Sequence, residues 1–139
     1  MTADQTETNV AVRLEFKDGM VVQEIGRDAS VDQELREAIK KAIGTELVDE
    51  SYDDIPDAVV LWFREGDGDL VGALVDAISY TRQGGAILLL TPKAGVDGHV
   101  ESSSIADACT TAGLSQTMSV SAGKDWNGCR LVTNAVARS

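Results

Sequence analysis

The chain has 139 residues, of which 43% are hydrophobic and 25% charged, a composition typical of a globular domain. Its 23 acidic residues outnumber its 12 basic residues and give a formal charge of −11. A surface with this charge repels phosphate backbones, so direct binding to nucleic acid is not expected. No apolar run approaches the roughly 20 residues that span a membrane, and the amino terminus lacks a signal-peptide pattern. We therefore expect a cytoplasmic protein.

The first third of the chain predicts strands around one helix. Residues 1–8 are small and polar and predict a disordered tail, so the single α/β domain is expected over residues 9–139. Residues 9–16 alternate as in a strand, although a short helix also fits them. A strand over residues 20–25 precedes a helix that begins at a capping box of Ser30 and Gln33 and ends at Gly44. A short strand over residues 46–49 leads into an acidic segment.

The clearest pattern lies in residues 57–93, which predict a β-α-β crossover. Residues 58–63 and 86–90 form two apolar runs, separated by a helix whose buried stripe is Leu70, Leu74, Ala77 and Ile78. Two fully apolar strands joined through a helix indicate a parallel sheet that is covered on both faces. Trp62 and Phe63 end the first run and are expected to lie in the core.

The last third predicts a helix and a hairpin. The helix begins near residues 102–104, where Ser104 and Asp107 resemble a capping box, and it ends at Gly113. Extended segments over residues 114–122 and 129–135 flank the turn dipeptide Asn127-Gly128, which predicts an antiparallel hairpin. The predicted fold class is α/β: a three-layer Rossmann-like sandwich whose mostly parallel sheet ends in that hairpin.

This layout resembles a shortened class I methyltransferase fold. The stretch VVQEIG (residues 21–26) resembles its first strand, Asp49 or Glu50 stands where a ribose-binding acid ends its second strand, and QGGAILLLTPK (residues 83–93) resembles its fifth strand. The resemblance implies S-adenosylmethionine as the first ligand to consider. Such enzymes need a glycine-rich loop after the first strand, and here only Gly26 is present. We therefore assign no cofactor and no catalytic residue.

Longer phrases resemble a second family. In order along residues 20–132 stand VVQEIG, TELVDESYDD, AVVLWFREGDGDLVGALVDA, GGAILLLTPK, AGLSQTMSVSAGKDW and RLV. These phrases are similar to the domain of unknown function 3052 family of high-GC Gram-positive bacteria. The resemblance implies no established enzymatic activity, and it implies an association with transcriptional regulation under redox stress.

Cys109 and Cys129 are the residues that a redox function would use. Cys109 shares a helical face with Ile105 and Ala112, which favours a buried packing role. Cys129 begins a strand and is expected to be half exposed beside Trp126. Oxidation that joins or modifies these thiols would change a partner surface, whereas packing alone would leave them inert.

A ligand cleft is expected beyond the carboxyl ends of the strands, where open α/β sheets bind ligands. The candidate residues there are Asp28, Asp49, Arg64, Lys93 and His99. His99 is the only histidine, and ordering of its loop is favoured over catalysis. The carboxylates between residues 46 and 57 fit no calcium-loop spacing, so no metal site is predicted. They indicate a solvated acidic edge or a docking surface for a basic protein.

Three functions remain open. The preferred one is a non-enzymatic regulatory protein that acts through contacts with a basic protein, such as part of the transcription machinery, in redox-linked regulation. The alternative is a small-molecule binder or degenerate S-adenosylmethionine-dependent transferase, which requires that side chains leave the strand-end cleft open. The third is a homo-oligomer joined through an exposed edge strand.

Overall fold

The computed structural model describes residue 11 and residues 13–81 and 85–133. The predicted tail over residues 1–8 and the amino-terminal boundary of the predicted domain lie outside the described residues. The strands are β1 (Val22–Ile25), β2 (Ala58–Trp62), β3 (Ala86–Pro92), β4 (Leu114–Ala122) and β5 (Trp126–Thr133). The helices are α1 (Gln33–Ile43), α2 (Leu70–Tyr80) and α3 (Ser102–Ala112). No helix in these ranges is long and apolar enough to cross a bilayer.

The five strands form one sheet in the order β1-β2-β3-β5-β4. β1, β2 and β3 run parallel, whereas β5 is antiparallel to both β3 and β4. This arrangement confirms the predicted α/β class and the predicted terminal hairpin. The strand expected over residues 46–49 is reduced to one parallel bridge between Val48 and Gln23.

Side-chain alternation along the strands divides the core into two layers. Val60, Trp62, Leu88 and Leu90 face α1, in the same cluster as its buried residue Leu35. The intervening residues of β2 and β3 face α2 and α3, in a cluster that contains Val59, Leu61, Ile87, Leu89, Leu74 and Ile105. Because successive strand residues point to opposite faces, strands that are apolar throughout require helices on both sides. The expected core positions of Trp62 and Phe63 are confirmed, at 1% and 5% exposure.

Two predicted helix caps are wrong, although the last helix does begin within residues 102–104. The N-cap of α1 is Asp32, whose carboxylate accepts the N–H of Leu35 at 3.0 Å, while Ser30 bonds to Asp28 instead. The N-cap of α3 is Glu101, which makes no side-chain capping bond, so the Ser104 capping box does not form. An aspartate before each of α1 and α2 satisfies a free N–H group of the first turn. α3 lacks this arrangement.

The helix ends agree with the sequence, but two other local predictions do not. Gly44 and Gly113 adopt left-handed φ values of 83° and 81° at the C-caps of α1 and α3. Asn127 and Gly128 lie inside β5 rather than in the hairpin turn, which falls at residues 123–125. Gly128 is needed for packing, because a Cβ there would lie 3.0 Å from Leu90 and 3.1 Å from Val120. Residues 11 and 13 are helical, which disagrees with the strand pattern of residues 9–16 and agrees with the short helix that the sequence also allowed.

Glu24 is a buried charge on β1 that connects three parts of the fold. Its carboxylate accepts hydrogen bonds from the guanidinium of Arg36 on α1, at 2.8 and 3.0 Å. The same carboxylate accepts the indole N–H of Trp62 on β2, at 2.8 Å. Glu24 is 4% exposed and the Arg36 side chain 12%, so neither charge is well hydrated by solvent.

We predict that Glu24→Ala lowers the free energy of unfolding by about 3 kcal/mol, because it leaves a largely buried guanidinium without its partner. Glu37→Ala is the matched control, since the Glu37 side chain is 64% exposed and its ion pair is with Lys40. That exposed pair contributes about 0.5 kcal/mol or less. Urea unfolding followed by circular dichroism measures both values, and equal losses would contradict a special role for Glu24.

Candidate functional site

The loops after β1 and β2 meet in a corner formed by residues 26–30, Glu50 and residues 64–67, called here the β1–β2 corner. Arg64 occupies its centre and is 17% exposed. Its guanidinium donates to Asp28 Oδ1 at 2.8 Å, to Ser30 Oγ at 3.1 Å and to the carbonyl of Gly26 at 3.3 Å. Arg64 also pairs with Asp67 at 3.3 Å and lies 5.2 Å from the ring centroid of Trp126. The guanidinium is therefore surrounded by acceptors from this same chain.

Several polar groups of the loop after β1 also bond within the chain. Hydrogen bonds from Ser30, and then the charge and hydrogen bond of Arg64, lower the pKa of Asp28. The N–H of Gly26 donates to the carboxylate of Glu50 at 2.9 Å. Gly26 has a φ of 82°, and a Cβ there would lie 2.4 Å from the carbonyl oxygen of Trp62. Here glycine lets the loop pack against its own β2.

Asp49 does not join this corner. Its carboxylate accepts hydrogen bonds from the backbone and hydroxyl of Ser51, at 2.9 and 2.6 Å, and these bonds lower its pKa. Of the two acids that the sequence offered, Glu50 is the one that reaches the loop after β1.

Lys93 and His99 lie beyond β3 and brace separate loops. The ammonium of Lys93 donates to Ser121 Oγ at 2.5 Å and to the carbonyl of Gly123 at 3.0 Å, which ties it to the β4–β5 hairpin. His99 Nδ1 lies 2.9 Å from the carbonyl of Pro92, and Nε2 lies 3.5 Å from Glu101. Of the five candidate cleft residues, the contacts join only Asp28 and Arg64 directly.

A cavity of about 620 Å³ opens beyond the carboxyl end of β3, between α3 and the hairpin, and is called here the β3 cavity. His99 and Cys129 both line it. Half of its other lining residues are neutral and polar, and the sequence-based reasoning missed them: Thr91, Ser102, Gln116, Ser119, Ser121 and Asn127. A signal for them existed, since serine, threonine and glutamine alternate along β4 where a covered strand would carry apolar residues.

Both cysteines are reduced and buried, at 2% exposure for Cys109 and 9% for Cys129. Burial raises the pKa of the Cys109 thiol. Burial, followed by the nearby charge of Cys109, raises the pKa of Cys129 to about 11. The expected half-exposed position beside Trp126 is wrong, because Trp126 faces the opposite side of the sheet. The cysteine pair is thus a feature of the core.

The described ranges contain no candidate metal site. No group of three or more His, Cys, Asp or Glu side chains there is arranged to hold a metal ion.

Comparison with solved structures identifies the class of fold. The pyocyanin biosynthetic protein PhzM matches 91% of this chain and 54% of its own, with a TM-score of 0.66 and 13% identity. A SAM-dependent methyltransferase from Aquifex aeolicus matches 94% of this chain and 93% of its own, with a TM-score of 0.58 and 13% identity. The chain therefore has a Rossmann-like methyltransferase fold, and identity this low carries no activity with it.

Comparison of sequences identifies the family. The chain belongs to the family described as Protein of unknown function (DUF3052), whose model matches residues 11–135. It is 46% identical over 125 residues to Uncharacterized protein Rv2239c of Mycobacterium tuberculosis, covering 90% of this chain and 78% of the relative. The family resemblance and the methyltransferase-like topology expected from the sequence are both confirmed.

We predict that Cys129 reacts with iodoacetamide at pH 8 about 100-fold more slowly in the folded protein than in urea. The reactive species is the thiolate, and a pKa raised from 9.0 to about 11 makes it scarce. The folded rate should rise with pH until the pH approaches 11, whereas the unfolded rate levels off above about 9. Peptide mass spectrometry of timed samples measures each cysteine, and equal rates in the two states would contradict inert burial.

Proposed function

We propose that this protein is a non-enzymatic regulatory protein that acts by contacting another protein. The observation that carries the proposal is the internal satisfaction of the β1–β2 corner. In the class I methyltransferase resemblance, this corner receives the cofactor and an acid such as Glu50 binds its ribose. Here Glu50 bonds to the backbone of Gly26, and Arg64 bonds to Asp28, so a ligand would have to displace both pairs.

The segment between β1 and β2 supports a basic protein as the partner. Asp53 and Asp54 are exposed, and Ile55 beside them is 64% exposed, the highest value among the exposed large hydrophobic residues. An apolar side chain within an acidic loop offers both charge steering and a contact that excludes water. Residues 46–57 contain no lysine or arginine, so the loop does not neutralise its own charge.

A link to redox-dependent transcriptional regulation rests on the family resemblance and on the two thiols. Burial and the raised pKa of both thiols work against direct oxidation of the folded protein. A redox role therefore requires that α3 or the hairpin opens first, which would expose the apolar cluster around both cysteines.

We predict that S-adenosylmethionine gives no saturable binding at concentrations up to about 1 mM. Binding there would break the Arg64–Asp28 and Glu50–Gly26 interactions, and this loss would weaken the affinity. Isothermal titration calorimetry of the full chain measures this, with a cofactor-binding methyltransferase as the positive control. Micromolar affinity would overturn the non-enzymatic proposal in favour of the transferase alternative.

We predict that Asp53→Lys/Asp54→Lys weakens binding of the physiological partner at least tenfold, because it reverses the charge of the docking loop. Asp76→Lys is the matched control, since Asp76 is also exposed but lies on α2. Affinity capture from the source cells with quantitative mass spectrometry would identify the partner, and purified components would then measure the affinity. A partner that is lost with Asp76→Lys, or that binds the double variant normally, would contradict this docking surface.

A further inference from the structure

We propose that the β3 cavity binds a small phosphate-bearing molecule, with the phosphate at the amino end of α3. This site is distinct from the β1–β2 corner and from the acidic docking loop. Its lining residues fall between Thr91 and Cys129, a stretch that the structure describes without a gap. The cavity volume of about 620 Å³ is within the range of small-molecule sites.

The first observation is a row of polar side chains across the sheet. Thr91 on β3 pairs with Asn127 on β5, and Asn127 pairs with Ser121 on β4. Paired residues project from the same face, so these three side chains stand side by side at the cavity floor. The next paired row, made of Leu89, Cys129 and Ser119, already contains two core residues. The apolar layer thus ends where the polar row begins.

The second observation is the unpartnered hydroxyl of Thr91. This residue is 3% exposed and lines the cavity, and its hydroxyl makes no hydrogen bond with the described part of the chain. The only buried side-chain nitrogen or oxygen found sealed and unpaired in that part is Arg130 Nε, so the Thr91 oxygen is open to the cavity. Water can hydrate a hydroxyl that is open to a polar cavity, and a ligand oxygen or amine can take the place of that water.

The third observation is the amino end of α3, which borders the cavity through Glu101, Ser102 and Ile105. Glu101 makes no capping bond, and the N–H groups of residues 102–104 find no backbone acceptor among the described residues. Such N–H groups, together with the helix dipole, favour an oxyanion. The hydroxyl of Thr91 and the amino end of α3 are independent features, and both border the same cavity.

The lining of the cavity carries little charge. The one carboxylate in the lining belongs to Glu101, which is 76% exposed and lies 3.5 Å from His99 Nε2. The ammonium of Lys93 lies 2.5 Å from Ser121 Oγ, beside the polar row. The remaining polar walls are neutral hydroxyl and amide groups, which suit the hydroxyl groups of a phosphorylated sugar-like molecule.

The test is a nuclear magnetic resonance titration of the isotope-labelled full chain with ribose 5-phosphate at constant ionic strength. We expect saturable amide shifts at Thr91, Asn127 and residues 102–104, a weaker effect of inorganic phosphate at residues 102–104, and none with ribose. Shifts that do not saturate, or that centre on lysines outside the cavity, would overturn the proposal.

Two variants separate binding from folding. Ser102→Pro removes one donor at the first helical position, which proline favours, and Glu101 has the extended backbone that a following proline requires, with φ −64° and ψ 141°. Thr91→Val removes a hydroxyl that has no hydrogen-bond partner among the described residues, so the variant should fold at least as stably as the parent. We expect each to raise the dissociation constant at least threefold, whereas Thr111→Ala, at an exposed position near the other end of α3, leaves it unchanged. Folded variants that both bind like the parent would refute the site.

Discussion

The carboxylate of Glu24 sets the geometry on which the strand-end region depends. It holds α1 through Arg36 and fixes the indole of Trp62, so the first helix and the second strand keep one relative position. Trp62 then meets Trp126 edge to face, with ring centroids 4.9 Å apart. Trp126 in turn donates to the carbonyl of Ser30 at 3.0 Å and lies beneath Arg64. A buried charge orients the groups that bond to it. Glu24 thus orients the Trp62 ring, and the edge-to-face contact with Trp62 in turn restricts the Trp126 ring.

The two halves of the strand-end edge differ. At the β1–β2 corner, Arg64 pairs with Asp28 of the loop after β1 and with Asp67 of its own loop. At the β3 cavity, many of the facing groups are hydroxyls and amides, α3 begins without a side-chain cap, and the Thr91 hydroxyl has no partner among the described residues. The chain thus has a Rossmann-like fold in which the loops after β1 and β2 bond to each other, while a partly polar cavity lies beyond β3.

Local sequence patterns predicted the structure correctly where only neighbouring residues decide the conformation. They failed where contacts with other segments decide it. Gly44 and Gly113 ended their helices as expected, because a left-handed C-cap needs only the glycine itself. The capping box at Ser30 failed because that hydroxyl is engaged by Asp28 and Arg64, which leaves Asp32 to cap α1. Asn127-Gly128 failed as a turn because the side chains of Leu90 and Val120 need the space that Gly128 leaves. In both failures a residue distant in sequence decided the outcome.

The sequence by itself determined the parallel core, the terminal hairpin and the membership of the family. A strand that is apolar on both faces needs helices on both sides of the sheet. This property can be read from a single run of consecutive residues. Only the tertiary structure decided which candidate residues act together. Arg64 meets Asp28 across 36 positions, and Trp126 meets Ser30 across 96, while the Thr91 hydroxyl has no partner among the described residues and α3 begins without a side-chain cap. Whether a polar group finds a partner depends on distances between separate segments, and no local pattern of residues encodes those distances.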